Sequence, residues 1–492
     1  MLTKPRTLYE LPKFSTTHEF SRHVESQLLN PLTDDGLLRL SRDLKSQLRQ
    51  RLQDNPACML PSYSSTLPTG QEKGRYLALD VGGSTLRVAL VSLDGRRDAE
   101  IVSFKAYKID QTVKKLVGHC FFDWMAARIV ETLEETGALM PEEVVSMALA
   151  WSFPIDGRMH PMGKGFRASD GLVGSDLADV IEAACNRAGL PAQLRVILND
   201  GGATLISSAY THETTRFGLI LGTGLNVAAY LPMSMVGHSK LFDRDEAWLA
   251  NAVDVVVNTE AGMFGHEILP ATVWDDELRR DLGLYLQPLE YMTSGMYLGE
   301  VGRRIIVEGI VSHGLLGGIV PPSLLEVYSL STATMAVVES LDLDMASKTF
   351  ATAHPSEHEP SLADMVALRR IFAALSRRSA ALVAAYVHAS WELRRDGLEE
   401  EQNPSLSLQR AATIAKELTM DMTTVAFSGS VVENYPGYRE TCQGHLDDLI
   451  HRPWHHEGRM PKIRLAPAKE SALIGAGVAL ASLGTGPRAQ CG

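Results

Sequence analysis

Two glycine-rich segments of the chain share one layout and carry residue types that bind phosphate. Residues 76–91 and 217–230 each consist of an apolar run, a turn of glycine and hydroxyl residues, and a second apolar run. Glycine lets a backbone approach an anion closely, and hydroxyls add hydrogen-bond donors to the N–H groups of the turn. One such turn is usually an ordinary turn, but two matched copies favour recognition of a polyphosphate. The turn residues are Gly82, Gly83, Ser84 and Thr85, and Gly222, Thr223 and Gly224.

Two aspartates occupy positions suited to phosphate chemistry. Asp80 lies beside the first turn, where its carboxylate could hold Mg²⁺ through water and partly offset phosphate charge. Asp200 follows Asn199 and the strand-like residues 194–198, at the carboxyl end of a strand, where open α/β sheets bind ligands. A base there could take the proton of a hydroxyl group that attacks phosphorus. On local sequence alone, a turn-capping or strand-ending role fits either aspartate.

Three further charged residues have types suited to a sugar or a phosphate. Glu260 and Glu290 could accept hydrogen bonds from several sugar hydroxyls, because carboxylates are strong charged acceptors. Lys164 is flanked by glycines, which predicts an accessible loop from which it could contact a ligand oxygen. Solvated surface positions are the alternative for all three, and spacing alone does not join them to Asp200.

The elements that must position these residues alternate between strands and helices. Leucines at three- and four-residue spacing predict an amphipathic helix over residues 33–53, and each glycine segment predicts a β-hairpin. This alternation predicts an α/β fold. The remaining predicted elements are strands at 145–153, 194–198 and 424–427, helices at 177–188 and 471–483, and a mostly helical stretch from about 285 to 425.

Length and composition limit the class of protein. The 492 residues are enough for two or more domains, and 45% hydrophobic with 22% charged residues is typical of a globular protein. A formal charge of -12 disfavours a nucleic-acid or anionic-membrane partner. The five scattered cysteines and the lack of an apolar leader or membrane-length segment predict a cytoplasmic protein with reduced thiols.

Taken in order, the motifs resemble those of the hexokinase family, which has the actin-like ATPase fold, from about residue 30 to 484. Residues 79–88 and 222–226 resemble the two phosphate motifs of the family, and Asn199-Asp200 resembles its catalytic pair. The ordered set is specific, although no single motif is. Further matches are Ser152-Phe153-Pro154, Lys164-Gly165-Phe166, Asn258-Thr259-Glu260, Glu290 with residues 294–300, Gly429-Ser430 with Pro436, and Gly475-Ala476-Gly477.

The resemblance implies a duplicated α/β fold of the actin-like ATPase (ribonuclease H-like) type, with a small and a large domain around a central cleft. Residues 1–75 would form a helical part of the large domain. Residues 76–198 would form the small domain, completed by about 465–484. Residues 199–464 would form the large domain, and 485–492 a flexible tail.

The resemblance also implies an activity, the ATP-dependent phosphorylation of the 6-hydroxyl of a hexose. Asp200 would be the general base, and Lys164 would hold the sugar and support the transferred phosphoryl group. The sugar would contact Ser152, Phe153, Gly163, Lys164, Asn199, Asp200, Gly201, Asn226, Glu260, Ala261 and Glu290. ATP and Mg²⁺ would contact Asp80, Gly82, Gly83, Ser84, Thr85, Arg87, Gly222, Thr223, Gly224, Gly429, Ser430 and Gly475, with Asp80 near the metal through water.

Several positions differ from the usual family pattern. Gly163, Gly201 and Ala261 stand where a threonine, a threonine and an aromatic residue are usual, so side-chain volume is lost three times. We interpret the lost volume as room for an acetamido group at C2, which favours N-acetylglucosamine as the substrate. The nucleotide side differs as well, at Thr85, Ser428 and residues 470–472.

Other functions fit the same resemblance. A glucose, mannose or fructose hexokinase, or a glucokinase, would use the same catalytic residues. A non-catalytic sugar-sensing regulator would be expected to lose Asp200, Lys164 or the phosphate turns first, and all of them are present. The sequence leaves the oligomeric state, the nucleotide preference and product inhibition open.

Overall fold

The computed structural model describes residues 14, 16–33, 35–135, 137, 144–153, 158–162, 165–242, 244–283, 286–403, 405–452, 460–483 and 489–490. The strands are β1 (Leu60–Pro61), β2 (Lys73–Val81), β3 (Thr85–Asp94), β4 (Ala99–Lys108), β5 (Val145–Trp151), β6 (Ala192–Leu198), β7 (Thr215–Leu221), β8 (Leu225–Pro232), β9 (Asp254–Asn258), β10 (Met422–Ser428), β11 (Lys462–Pro467) and β12 (Ala489–Gln490). The helices are α1 (Thr17–Leu29), α2 (Gly36–Asp54), α3 (Gln111–Lys114), α4 (His119–Glu135), α5 (Leu177–Arg187), α6 (Asp200–Thr211), α7 (Glu246–Asn251), α8 (Val273–Leu282), α9 (Pro288–Thr293), α10 (Gly295–His313), α11 (Thr332–Ser340), α12 (Leu343–Ala353), α13 (Leu362–Glu401), α14 (Leu408–Leu418), α15 (Ser430–Asn434), α16 (Tyr438–His451) and α17 (Ser471–Leu483).

The strands form two sheets that repeat one arrangement. The first sheet has the order β12-β6-β5-β2-β3-β4 and the second the order β1-β9-β8-β7-β10-β11. Each is built on an antiparallel hairpin, β2–β3 or β7–β8, which carries one of the two glycine turns. A third antiparallel strand extends each hairpin on one side, and two parallel strands extend it on the other. The predicted duplication is therefore present.

Two helices exchange places between the repeats. Helix α6 follows the last parallel strand of the first repeat but packs on the second sheet, against β7 and β8. Helix α17 follows the last parallel strand of the second repeat but packs on the first sheet, against β2, β5 and β3. The two helices also pack on each other, and together they form an apolar layer between the sheets.

Gly475 belongs to this helix crossing. A Cβ added to Gly475 would lie 2.1 Å from the backbone oxygen of Ala203 in α6, so only glycine allows the observed approach of the two helices. The residue is buried and is not among those that line the large cavity described below. Gly475, predicted to bind the nucleotide, therefore has a packing role in this structure.

Most of the predicted elements are present, with small shifts of their ends. The leucines of the predicted helix at 33–53 are buried in α2, which packs on the long helix α13. The polar break at 354–360 separates α12 from α13, whose first turn has a capping box made by Ser361 and Asp364. Strand β11 belongs to the second sheet. In the region 465–484, therefore, only α17 packs on the first sheet.

The segment 485–492 was predicted to be a flexible tail, and the structure differs at two residues. Ala489 and Gln490 pair in parallel with Val196 and Ile197 of β6. The outer edge of β6 has backbone N–H and C=O groups that no other strand of the sheet uses, which explains why β12 can pair with it. The other residues of the segment lie outside the described part of the chain.

A buried ion pair ties α8 to α13. Arg378 is 0% exposed and Asp275 is 3% exposed, and two hydrogen bonds of 2.6 and 2.8 Å join their side chains. Asp275 also accepts hydrogen bonds from the N–H and hydroxyl of Thr272, the N-cap residue of α8. Burial alone would raise the pKa of Asp275, but Arg378 and Thr272 together lower it. The two opposite charges thus compensate each other.

We expect Arg378→Met to lower the free energy of unfolding by about 3–5 kcal/mol, because it leaves the Asp275 charge buried without its partner. Denaturant unfolding followed by circular dichroism measures the change. The matched control is Arg187→Met, which breaks the exposed pair between Arg187 and Asp123, with side chains 47% and 47% exposed. An exposed pair contributes about 1 kcal/mol or less. Equal losses in the two variants would contradict the prediction.

Candidate active site

Asp200 begins α6 at the carboxyl end of β6. Asn199 is the N-cap residue, and its side-chain oxygen accepts the N–H of Gly202 at 2.7 Å. The N-terminus of a helix favours a carboxylate, since unpaired N–H groups and the helix dipole stabilise negative charge. Ser152, directly after β5, donates its hydroxyl to the two carboxylate oxygens of Asp200, at 2.9 and 2.7 Å. Neighbouring parallel strands thus bring a hydroxyl and a carboxylate together.

Asp80, in the parallel strand next to β5, lies at the same edge of the first sheet. Its side chain is nearly buried, and Arg87 across the hairpin contacts it at 3.0 Å. Burial and the charge of Asp200 raise the pKa of Asp80 to about 7, although Arg87 acts in the opposite direction. An ionised Asp80 therefore costs free energy, and a cation placed near the two aspartates would offset that cost.

The acidic residues fit a magnesium ion that arrives with a nucleotide. Mg²⁺ is usually bound by one or two carboxylates, with water and phosphate oxygens as its other ligands. Asp80 can supply one such carboxylate. In the described part of the chain, no group of three or more His, Cys, Asp and Glu side chains is arranged to hold a metal ion. The residues present are thus suited to a shared ion and not to a protein-only cage.

A network of amides and a carboxylate lies where the start of β8 meets the end of β9. Asn226 donates to Asn258 at 2.9 Å, and Asn258 donates to a carboxylate oxygen of Glu260 at 2.7 Å. The Asn226 oxygen also accepts the N–H of Ala261 at 3.3 Å. Burial raises the pKa of Glu260, and the hydrogen bond from Asn258 lowers it in part. Glu260 has a φ of 53°, a left-handed backbone that is rare for glutamate and turns its side chain out of the strand line.

Two residues that sequence reasoning missed hold this left-handed corner in place. The hydroxyl of Thr259 donates to the backbone oxygen of Val227 at 2.7 Å and accepts the hydroxyl of Tyr386 at 2.9 Å. Tyr386 is buried in α13, and its ring also packs on Phe264 at 5.5 Å. No local signal in α13 predicts this role, because Tyr386 lies 127 positions along the chain from Thr259 and has an ordinary core periodicity.

Glu290 lies next to the second glycine turn. Its carboxylate accepts the N–H of Leu225 at 2.9 Å. A Cβ added to Gly224 would lie 2.7 Å from the same carboxylate oxygen, so glycine at this position leaves room for the glutamate. The turn and the glutamate therefore fix each other, although the sequence separates them widely.

A cavity of about 910 Å³ opens beside Arg87, which contacts Asp80. Its walls are residues 427–440, which follow β10, and residues 467–472, which precede α17; Arg87 lines it from the first sheet. Gly429 belongs to the wall and has a φ of 127°, and Gly222 of the second turn approaches it closely. A cavity of this size beside the second glycine turn can accommodate a nucleotide.

Comparison with known proteins agrees with this geometry. The hexokinase family model matches residues 24–210 and 216–482. The chain belongs to the hexokinase family. Its fold is accordingly the duplicated actin-like ATPase fold, and it is an ATP-dependent sugar kinase.

Relatives of this chain with similar sequence identity are named for different sugar kinase activities. N-acetylglucosamine kinase 1 of Candida albicans is 25% identical over 498 residues, which cover 95% of this chain and 93% of that protein. The hexokinase of Schwanniomyces occidentalis is 26% identical and covers 95% of this chain and 92% of its own length. The glucokinase of Aspergillus niger is 25% identical, with 85% and 87% covered.

Solved structures include a hexokinase from Schistosoma mansoni complexed with glucose. It superposes on this hexokinase-family chain with a TM-score of 0.74 and is 25% identical, covering 95% of this chain and 100% of the other.

None of the helices in the described part of the chain combines the length and the apolar character needed to cross a bilayer.

The structure brings most of the predicted hexokinase site residues together at one place. Asp80, Ser152, Asn199 and Asp200 lie at the edge of the first sheet. The residues that gather at the edge of the second sheet are Gly222, Thr223, Gly224, Asn226, Glu260, Glu290, Gly429 and Ser430. Lys164 and Gly163 lie outside the described residues.

Two predicted sugar contacts, Phe153 and Gly201, have other surroundings in the hexokinase-family chain. The ring of Phe153 is buried in the core of the first repeat, between Trp151 and Phe166, so it packs the fold. A Cβ added to Gly201 would point at the backbone nitrogen of Ala228, 3.3 Å away, so the lost volume faces β8 and opens no space for a ligand. Ala261 is also buried, directly after Glu260.

We expect Gly224→Ala to raise the KM for sugar roughly five- to tenfold, the equivalent of about 1 kcal/mol for one displaced hydrogen-bonding group. The added methyl group must push the Glu290 carboxylate away from Leu225. Steady-state kinetics at saturating ATP measures the change. Gly444→Ala in α16 is the control, since an added Cβ there meets no atom within 4 Å. An unchanged sugar KM in Gly224→Ala would count against the placement of Glu290.

Proposed function

We propose that the protein transfers the γ-phosphoryl group of ATP to the 6-hydroxyl of a hexose, with Asp200 as the general base. The observation that supports this most directly is the position of Asp200. Its carboxylate begins a helix at the edge of the sheet, accepts a hydroxyl from Ser152, and lies close enough to Asp80 to raise its pKa. A base beside a second acidic residue and a nucleotide-sized cavity is the arrangement that phosphoryl transfer to an alcohol requires.

The reaction then follows from the residues that surround Asp200. The oxygen of the 6-hydroxyl attacks the γ-phosphorus, its proton passes to the Asp200 carboxylate, and the bond to the bridging oxygen of ADP breaks. The Ser152 hydroxyl donates to Asp200 and keeps the carboxylate oriented. Asp80 would hold Mg²⁺ through water, and the ion would supply charge compensation for the phosphates. Lys164 would support the transferred group.

The sugar would lie between the edges of the two sheets. Glu260 and Glu290 would accept hydrogen bonds from its hydroxyls, and Asn226 would also contact it. The hydrogen bonds of these residues within the protein hold them in place before the sugar arrives. Asn199 uses its oxygen to cap α6, so its side-chain nitrogen is the atom available to a ligand. Holding several groups in position in advance reduces the entropy that binding must overcome.

We propose further that the first repeat forms a small domain that closes over the sugar. The first sheet, α4, α5 and α17 would move as this unit, and closure would exclude water, which competes with the sugar as phosphoryl acceptor. The first sheet begins at Lys73 with β2. The domain division at residues 76–198 and the cytoplasmic location stay predictions.

For the substrate we propose N-acetylglucosamine, giving N-acetylglucosamine 6-phosphate. Ala261 supports it: its small side chain follows Glu260, and its N–H is bonded to Asn226, another proposed sugar contact. Tyr386 and Phe264 hold the segment from the core side without an aromatic residue at 261. The Candida albicans N-acetylglucosamine kinase 1, which aligns over nearly the whole chain, adds support. Gly201 does not contribute to this proposal, because its lost side chain would point toward β8.

We expect Asp200→Asn to lower kcat by about 10²–10⁴-fold, the usual contribution of a positioned general base. The amide keeps the shape of the side chain but cannot take the proton. A coupled ADP-release assay measures kcat, and calorimetry with sugar alone confirms that the variant still binds. A variant that retains more than a tenth of the activity would refute the role of Asp200.

We expect kcat/KM for N-acetylglucosamine to exceed that for glucose, mannose and fructose by roughly ten- to hundredfold, the range that one substituent in a fitted pocket provides. The four sugars are compared in the ADP-release assay with purified protein. Asp200→Asn prepared in parallel controls for contaminating kinases. A clear preference for glucose would replace the proposed substrate with a hexokinase or glucokinase activity. Sugar binding without turnover of any sugar would favour a regulator.

A further inference from the structure

Glu470 has a backbone conformation that is unusual for its residue type. It lies between β11 and the first residue of α17 and has a φ of 47°, in the left-handed region that favours glycine. A glutamate held there implies that its side chain has surroundings that compensate for the strained backbone.

The compensating partner of Glu470 is Arg87. A guanidinium nitrogen of Arg87 lies 3.1 Å from the Glu470 carboxylate, and another nitrogen of the same side chain lies 3.0 Å from Asp80. The exposed fractions of the three side chains are 5% for Asp80, 37% for Arg87 and 50% for Glu470. Arg87 is therefore shared between a buried carboxylate and a more exposed one.

The shared arginine and Glu470 both line the large cavity. The cavity of about 910 Å³ is bordered by Arg87 on one side and by Lys469, Glu470 and Ser471 on another. A triphosphate that enters the cavity needs cationic donors, and guanidinium groups bind phosphate through paired N–H groups. Glu470 occupies one of the Arg87 donors and adds a negative charge where another anion would lie.

We propose that Glu470 weakens nucleotide binding in this protein by competing with the phosphates for Arg87. Binding of ATP·Mg²⁺ exchanges the Arg87–Glu470 contact for an Arg87–phosphate contact, while Asp80 stays available to the metal. Glu470 is a positioning residue, because it acts on the nucleotide through Arg87. The inference rests on the proposed nucleotide site and concerns a residue that the proposed reaction does not require.

The test compares Glu470→Gln and Glu470→Gly with the unchanged protein. Glutamine removes the charge and keeps a side chain on the left-handed backbone, whereas glycine removes the charge and also relaxes the backbone. We expect the KM for ATP·Mg²⁺ at saturating sugar to fall about two- to tenfold in both variants, the range set by a partly exposed ion pair. The difference from the unchanged protein should shrink as salt is added, because the charges are partly exposed.

A matched control is Glu213→Gln. Glu213 pairs with Arg97 at 3.4 Å, with side chains 38% exposed for Arg97 and 64% for Glu213, and neither residue lines the cavity. The control changes the net charge by the same amount, so the KM for ATP·Mg²⁺ should not change. A fall in the control equal to that in Glu470→Gln would overturn the proposal.

Two further outcomes would also overturn it. An unchanged or higher KM in Glu470→Gln would show that the carboxylate does not compete with phosphate, and a fall in Glu470→Gly alone would assign the effect to backbone strain. Failure of the proposed function has a different signature, since the unchanged protein would then show neither phosphorylation of any sugar nor binding of ATP·Mg²⁺ by calorimetry.

Discussion

The site depends on two acidic side chains held close together at one edge of the first sheet. Parallel strands β2, β5 and β6 end side by side, so the topology that builds the core also fixes the relative position of Asp80 and Asp200. Like charges in a partly buried place raise the free energy of the ionised forms. Arg87, the Ser152 hydroxyl and the start of α6 offset part of this cost, and the rest is available to a metal ion.

The second repeat contributes amides and two glutamates to the same site. Its glycine turn is set against Glu290, and its amides form a continuous network that ends at Glu260. Thr259 and Tyr386 connect this network to the centre of the longest helix of the described chain. The proposed sugar contacts of the second repeat are therefore positioned from the protein core, whereas Asp80 and Asp200 are positioned by the sheet edge. This division separates substrate recognition from charge compensation.

The sequence predicted the fold and much of the site because both leave local signals. The two glycine hairpins, the leucine spacing of α2 and the strand before Asn199-Asp200 are short-range patterns, and each has its counterpart in the structure. The roles of Tyr386, Gly475 and Gly201 could not be predicted in this way, because they depend on contacts between distant segments. The sequence shows that a side chain is smaller than usual but not which neighbour the missing atoms would have faced. A Cβ added to Gly201 would face β8. The strained backbone of Glu470 likewise has no signature in residue order.

The exchange of α6 and α17 between the repeats affects how the chain can be divided. Each repeat provides the helix that covers an apolar face of the other sheet. A fragment that ends between the repeats would keep its sheet but leave one face, rich in alanine and valine, in contact with water. The duplicated halves are consequently not independent folding units, although each has a complete strand arrangement. In the proposed closure of the small domain, this pair of crossed helices would be the shared axis about which the two sheets turn without separating.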